Sequence, residues 1–123
     1  MDDYIYISGI RSYGYTGALL EEQVLGQWFE VDVTLWLDLS HPGKTDRLED
    51  TLDYRAVIAQ VQHLIKCSKF ALLERLAAAI AESLLEFQLI EQVQVKLTKL
   101  AAPIPDFAGK VTIELTRQQT NDF

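Results

Sequence analysis

The chain has 123 residues, of which 49% are hydrophobic and 24% are charged, values typical of one folded domain and not of a disordered chain. Its 11 Lys and Arg against 18 Asp and Glu give a net charge of −7, which disfavours nucleic acid as a partner because phosphate backbones attract basic surfaces. An acidic start and short apolar runs predict neither a secretion signal nor a membrane span, so we expect a cytoplasmic protein.

Side chains that could hold a metal ion are few and scattered. The chain has one cysteine, Cys67, and two histidines, His41 and His63, whose spacing matches no zinc motif. We therefore expect no metal site, no cofactor and no disulfide within the chain.

Two strands are predicted in the first third of the chain. Ile5 and Ile7 alternate with polar neighbours over residues 4–8, and a longer strict alternation runs over residues 28–39. A segment punctuated by four glycines separates the two strands: Gly9, Gly14, Gly17 and Gly26.

Two helices follow. Apolar residues recur with a period of 3.6 over residues 53–67, which predicts an amphipathic helix with Asp53 as its N-cap. Residues 71–87 are rich in Ala and Leu and predict a second helix. The linker of residues 68–70 is short, so the two helices should be neighbours.

Two C-terminal strands, over residues 93–98 and 111–116, complete a ββααββ order. This order predicts an α+β fold in which both helices cover one face of a four-stranded antiparallel sheet. We expect one domain over residues 1–117 and a frayed tail over residues 118–123. The other sheet face is polar apart from Trp28 and Trp36, and faces either solvent or a wet interior.

Two charged residues fall on positions that the pattern assigns to the interior. On a helical wheel, Glu74 lies outside the polar arc of its helix, which predicts a carboxylate on the packing side. Lys99 has the inward parity of Val93, Val95 and Leu97. The two could converge on a pocket suited to proton transfer. Each also has a simpler interpretation, a helix-end Glu that reaches water and a strand-end Lys that extends to solvent.

Other candidates have weaker signals. Tyr54 lies on the apolar stripe of the first helix, a position also typical of a core tyrosine. Glu21 and Glu22 follow the glycine-rich segment, where charges are ordinarily solvated. The two histidines are isolated and receive no role.

A set of short motifs resembles the dihydroneopterin aldolase family over residues 4–117. Each motif is weak alone, but their order and spacing are specific. They are Gly14-Tyr15-Thr16-Gly17-Ala18 with Glu22, Gly26-Gln27 before Val31-Asp32-Val33, Thr45-Asp46 before Asp50-Thr51-Leu52-Asp53-Tyr54, Phe70-Ala71-Leu72-Leu73-Glu74-Arg75-Leu76-Ala77, and Lys96-Leu97-Thr98-Lys99 before Ala102-Pro103-Ile104.

The resemblance implies a tunnelling-fold subunit, whose sheet joins those of its neighbours into a barrel with the helices outside. Two such rings would stack into an octamer, with the polar face of Glu30, Lys96 and Glu114 lining the tunnel. The family's catalytic groups fall on Lys99, Tyr54 and Glu22, and its substrate-binding groups on Glu22, Thr51, Leu52, Tyr54, Leu73 and Glu74.

By the same resemblance, Glu74 would anchor the pterin ring beside the Leu73 backbone, and Thr51 and Leu52 would contact it from an adjacent subunit. Two positions depart from the family pattern. Thr16 stands where many members have His, and Leu100 follows the lysine where many have Pro. These departures concern contacts near the substrate hydroxyls and the loop after Lys99.

The implied activity is that of a lyase in folate biosynthesis, which cleaves 7,8-dihydroneopterin into 6-hydroxymethyl-7,8-dihydropterin and glycolaldehyde without a metal. Epimerisation at C2' would follow when the aldehyde recombines before leaving. Two alternatives stay open: a dihydroneopterin triphosphate epimerase of the same fold, and a non-catalytic ring-forming pterin-binding module. The expected partners are a pterin and further copies of the chain, with no nucleic acid and no membrane.

Overall fold

A four-stranded antiparallel sheet organises the computed structural model, which describes residues 2–120. The strands lie in the order β1 (Tyr4–Gly14), β2 (Gln27–Trp36), β3 (Gln92–Lys99) and β4 (Val111–Gln118). Two long helices, α3 (Tyr54–Cys67) and α4 (Leu73–Leu84), cover one face, α3 over β1 and α4 over β3 and β4. The predicted α+β fold is confirmed.

The core lies between this sheet face and the helices. Phe29, Val31, Val33 and Leu35 of β2 are fully buried, as the alternation predicts for a central strand with one covered face. The helices contribute Val57, Val61 and Ile65 from α3 and Leu76, Ala77, Ile80 and Leu84 from α4. Asp53 caps α3 by accepting a hydrogen bond from the Arg55 backbone N–H, as predicted.

The first strand is longer than its sequence pattern indicates, because a bulge interrupts it. Ile7 pairs with Val33 but Ile10 pairs with Val31, so β1 carries one extra residue between them. Gly9 has a φ of 76°, and its N–H donates to Asp32 Oδ1 at 2.8 Å. A bulge reverses the parity of the residues after it. The alternation visible up to residue 8 therefore ends although the strand continues to Gly14.

Two short helices are absent from the predicted order: α1 (Leu20–Leu25) and α2 (Ser40–Thr45), the latter followed by a 3-10 turn (Leu48–Asp50). Six residues make fewer than two turns, too few for a period of 3.6 to show. Three predicted boundaries also shift. β2 ends at Trp36 and not at residue 39, and α4 spans Leu73–Leu84 and not residues 71–87.

The C-terminal segment is ordered further than expected. Gln118 is the last residue of β4, and the Gln119 N–H donates to Glu91 O at 2.9 Å. Its side-chain amide donates to Ile90 O at 3.0 Å. The predicted tail thus begins inside a strand, and residues 121–123 lie outside the described part of the chain. No helix within residues 2–120 has the length and apolar character needed to cross a membrane.

The sheet has two ends that organise the site. At one end, called the Tyr4 end, Tyr4 of β1 lies beside Trp36 of β2. At the other, called the Gly14 end, Gly14 lies beside Gln27, and Lys99 pairs with Phe29. The α3 helix runs from the first end to the second, since Tyr54 borders the same cavity as Ile5 and Ile65 packs against Gly14.

Candidate active site

A buried ion pair lies at the Gly14 end. Lys99 closes β3, and its Nζ lies 2.5 Å from Glu22 Oε2. The Lys99 side chain is 12% exposed and the Glu22 side chain 7%. The inward orientation predicted for Lys99 is therefore confirmed. The interpretation of Glu22 as a solvated loop charge is wrong, because α1 folds this carboxylate against a lysine 77 residues away.

Two further donors hold the Glu22 carboxylate in place. The Leu19 N–H donates to Oε1 at 3.2 Å, and the Gln27 side-chain amide donates to Oε2 at 2.8 Å. Gly17 makes room for this arrangement, since a Cβ at that position would lie 2.5 Å from Glu22 Cβ. The glycine-rich segment thus allows α1 to bring its carboxylate close to the backbone.

The surroundings of Glu22 favour its charged form. Burial by itself would raise the pKa of Glu22, but hydrogen bonds from Lys99, Gln27 and the Leu19 N–H outweigh it and hold the pKa below the ordinary 4.5. Glu22 is therefore a carboxylate at neutral pH. A charge-assisted hydrogen bond joins it to the Lys99 ammonium in a nearly dry environment.

Gln27 is the site residue that the sequence reasoning missed. Gly26-Gln27 is one of the motifs that resemble the family, but no sequence pattern indicated that the Gln27 amide would reach the Glu22 carboxylate. The Gln27 Oε1 atom is buried and has no hydrogen-bond partner among residues 2–120. It leaves one acceptor unsatisfied beside the ion pair.

Glu74 is exposed, so the prediction of a carboxylate on the packing side is wrong. It is the second residue of α4, and side chains in a first turn point back past the helix end. The buried stripe consists instead of Leu73, Leu76, Ala77, Ile80, Ala81 and Leu84. Glu74 makes no ion pair with Lys99, whose partner is Glu22.

The start of α4 is tied to the glycine-rich segment. The Gly17 N–H donates to Phe70 O at 2.9 Å, and the Phe70 N–H donates to Thr16 Oγ1 at 3.2 Å. Leu73 and Glu74 therefore lie at the same end of the subunit as the ion pair. We call this group the lysine half of the site: Glu22, Gln27, Leu73, Glu74 and Lys99.

A second group, the tyrosine half, consists of Thr51, Leu52 and Tyr54 at the Tyr4 end. These residues line a cavity of about 350 Å³ together with Ile5, Leu48, Asp53 and Arg55. Leu52 is buried, whereas Tyr54 is 54% exposed. The core-tyrosine interpretation of Tyr54 is wrong. Its position at the first residue of α3 leaves it outside the packed stripe.

The two halves are far apart within one chain. Ile65 lies eleven positions after Tyr54 in α3, a rise of about 16.5 Å at about 1.5 Å per residue. Ile65 packs against Gly14, at the end of the sheet where Lys99 lies. The structure therefore brings Lys99 together with Glu22, and the start of α4 with the glycine loop, but not Tyr54 with either.

The sheet face opposite the helices carries pairs of hydrogen-bonded polar side chains. Arg11 Nε lies 2.9 Å from Glu30 Oε1, and Gln94 donates to Glu114 at 2.8 Å. Trp28 on this face is 56% exposed. Both outer strands, β1 and β4, have an unpaired edge within residues 2–120. The same residues contain no group of three or more His, Cys, Asp or Glu side chains placed to hold a metal ion.

Comparison with known proteins identifies this arrangement. The family model for dihydroneopterin aldolase matches residues 5–116. The chain belongs to the dihydroneopterin aldolase family. A probable dihydroneopterin aldolase of Synechocystis is 53% identical over 117 residues, which cover 95% of this chain and 99% of that protein.

Solved structures of the family agree in fold. The Escherichia coli dihydroneopterin aldolase crystallised with neopterin has a TM-score of 0.85 at 28% identity, covering 94% of this chain and 98% of that one. The Burkholderia thailandensis dihydroneopterin aldolase bound to guanine has a TM-score of 0.78 at 26% identity, covering 96% and 92%. The predicted tunnelling fold and the predicted enzyme class, an aldolase among the lyases, are confirmed.

Proposed function

We propose that the chain cleaves 7,8-dihydroneopterin into 6-hydroxymethyl-7,8-dihydropterin and glycolaldehyde, with Lys99 and Glu22 moving the proton that starts the reaction. The buried pair carries this proposal. Taking two charges out of water is unfavourable unless they are well paired, and a largely buried lysine with a specific carboxylate partner is a candidate for proton transfer. The family relatives named as aldolases support the same activity.

The substrate supplies its own electron sink. The C6=N5 imine of the dihydropterin adjoins the hydroxylated side chain. Removal of the 2'-hydroxyl proton lets the C1'–C2' bond break, and its electron pair moves into the ring. C2' leaves as the aldehyde carbon of glycolaldehyde, and C1' takes up a proton to give the hydroxymethyl product. The reaction needs no Schiff base, cofactor or metal.

Lys99 is the group we assign to the 2'-hydroxyl proton: in the sites where Lys99 is a neutral amine, it accepts that proton through a water molecule and becomes the ammonium. Glu22 holds the Lys99 amine in place, since their polar atoms are 2.5 Å apart. Tyr54 is assigned to the later step, protonation of the enol intermediate. These roles separate bond cleavage from product formation.

Glu74 is assigned to the pterin 2-amino and N3 groups, beside the Leu73 backbone. Its exposure supports this role, because the carboxylate is free to accept hydrogen bonds from a ligand. Such charge-assisted bonds contribute about 1.5–3 kcal/mol.

The complete site is shared between two subunits. Tyr54 cannot reach Lys99 of its own chain across the length of α3, so a neighbour must supply the tyrosine half. The unpaired edges of β1 and β4 support a ring in which one subunit's sheet continues into the next. Closure of the ring and stacking of two rings would give the octamer, with the charged outer face as its tunnel lining. A cytoplasmic location also stays a prediction.

The two alternatives are not favoured. A triphosphate epimerase would need basic side chains around the substrate tail, and the net charge of −7 gives that little support. A non-catalytic ring-forming module would have no use for a buried Lys99–Glu22 pair. Epimerisation at C2' is compatible with the same site, since it needs only recombination of the aldehyde before release.

The test is incubation of the protein with 7,8-dihydroneopterin while glycolaldehyde and hydroxymethyl-dihydropterin are both measured. Lys99→Met should release neither product. Lys110→Met, at an exposed lysine in the loop before β4, is the matched control and should behave as wild type. Tyr54→Phe should release glycolaldehyde with less than one equivalent of hydroxymethyl-dihydropterin. Stoichiometric loss of both products in both site variants would contradict the separate roles.

A further inference from the structure

We propose that Thr16 is a positioning residue for pterin binding. Its hydroxyl fixes the linker before α4, and thereby Leu73 and Glu74, relative to the Glu22–Lys99 pair. The inference rests on the proposed function in one respect, the assignment of Leu73 and Glu74 to the pterin. It is carried by the contacts that Thr16 makes.

Thr16 is fully buried, so its side chain is not available to the substrate hydroxyls. Its Oγ1 accepts a hydrogen bond from the Phe70 N–H at 3.2 Å. The next residue completes the connection, because the Gly17 N–H donates to Phe70 O at 2.9 Å. The glycine-rich segment therefore holds both backbone groups of Phe70, and a threonine side chain supplies one of the two bonds.

The connection continues into both parts of the lysine half. On one side, the Gln23 side-chain amide of α1 donates to Gly17 O at 2.9 Å, one residue from Glu22. On the other side, Phe70 lies three residues before Leu73, and the Arg75 guanidinium sits over its ring at 5.1 Å from the centroid. A continuous series of contacts thus joins the helix that carries Glu22 to the helix that carries Glu74.

Loss of the Thr16 hydroxyl should loosen the start of α4, which carries Glu74, relative to α1, which carries Glu22. The half-buried Phe70 N–H would lose its acceptor, and the linker would move to find another. The ion pair would keep its own hydrogen bonds, since none of them involves Thr16. The affinity for neopterin should therefore fall, while the rate of cleavage of bound substrate stays close to that of the wild type. A general loss of stability would not separate these two quantities.

The test compares Thr16→Val, which removes the hydroxyl, with Thr16→Ser, which keeps it. Ser83→Ala is the matched control, because it removes the 2.6 Å Gln60–Ser83 bond between α3 and α4 outside both halves of the site. Calorimetric titration with neopterin gives the affinity, and single-turnover glycolaldehyde release at saturating dihydroneopterin gives the rate. Amide exchange of Phe70 reports the hydrogen bond directly.

Thr16→Val should bind neopterin about five- to tenfold more weakly, with a single-turnover rate within about threefold of wild type. Thr16→Ser and Ser83→Ala should bind within about twofold of wild type. Wild-type affinity in Thr16→Val, or failure of Thr16→Ser to restore affinity, would overturn the proposal.

If Thr16→Val does not fold, two other measurements test the proposal: the neopterin affinity of Thr16→Ala and the exchange rate of the Phe70 amide in the wild type. Rapid exchange of the Phe70 amide in folded wild type would overturn the proposal. If the variants show the predicted order of neopterin affinities but the wild-type protein releases no glycolaldehyde, the aldolase mechanism is refuted. The positioning role of Thr16 is still supported by that result.

Discussion

Breaking the buried ion pair from one side should destabilise the protein far more than removing both charges. Glu22→Leu would leave the Lys99 ammonium, only 12% exposed, without a counter-charge, and would remove the acceptor of the Gln27 amide and the Leu19 N–H. Loss of one partner of a buried pair costs about 3–5 kcal/mol. Because Lys99 lies at a strand end and can extend towards water, we expect about 3 kcal/mol, more than a hundredfold in the unfolding equilibrium.

The double variant Glu22→Leu/Lys99→Met should recover most of this loss. Neither charge remains, and both replacements approximate the original volumes. The Gln27 amide and the Leu19 N–H still lack an acceptor in the double variant, which lowers its stability, so we expect recovery of about 2 kcal/mol. The coupling free energy obtained from a double-mutant cycle is this recovery plus the cost of Lys99→Met alone, so it should be at least about 2 kcal/mol.

The assay is urea denaturation at pH 7 and one fixed subunit concentration, since assembly makes stability depend on concentration. The Arg47–Glu49 pair is the control, because its charged atoms are also 2.5 Å apart while both side chains are more than 60% exposed. The same cycle on that pair should show no measurable coupling. Equal coupling in the two cycles, or a double variant no more stable than Glu22→Leu, would refute the role assigned to burial.

Three further results are expected. The folded state lowers the pKa of Glu22, so its stabilising contribution is present above pH 4.5 and is lost as the pH falls through the folded value. The stability difference between wild type and Glu22→Gln should accordingly shrink in acid urea titrations below pH 4.5, and a constant difference would count against the ion pair. Glu74→Ala should weaken neopterin binding at least tenfold in calorimetry with little change in urea midpoint, since the side chain is exposed. Prolonged EDTA treatment should leave glycolaldehyde release unchanged, and loss restored by zinc would contradict the metal-free mechanism.

The sequence predicted the features that depend on local periodicity. The α3 helix, its Asp53 cap and the inward Lys99 all follow from spacing within one element. The burial of Glu22 does not, because it depends on Lys99 folding against it from 77 positions away. The resemblance to the family, and not the residue pattern, indicated that Glu22 had a role.

The wrong predictions for Glu74 and for the length of β1 also have local causes. The helical wheel misplaced Glu74 because it treats all positions of a helix alike, although a first-turn side chain has no preceding turn to bury it. The bulge at Gly9 concealed half of β1, since it reverses the parity on which the alternation depends. The role of Thr16 was hidden for another reason, because its hydroxyl bonds to Phe70, 54 positions away.

The measurement that tests the account most directly is complementation between two defective subunits. Tyr54→Phe impairs the tyrosine half and Glu74→Ala impairs the lysine half, so at subsaturating substrate each variant alone should form hydroxymethyl-dihydropterin well below the wild-type rate. Unfolded together in equal amounts and refolded, they should rebuild complete sites wherever an intact Glu74 faces an intact Tyr54 of its neighbour.

Random mixing makes each half intact in about half of the sites, so about a quarter of the sites are complete in a closed ring. Hydroxymethyl-dihydropterin formation should recover to about a quarter of the wild-type rate. Mass spectrometry establishes that mixed oligomers have formed. Mixed oligomers with no more activity than their parents would contradict the shared site and would require Tyr54 to act within its own chain.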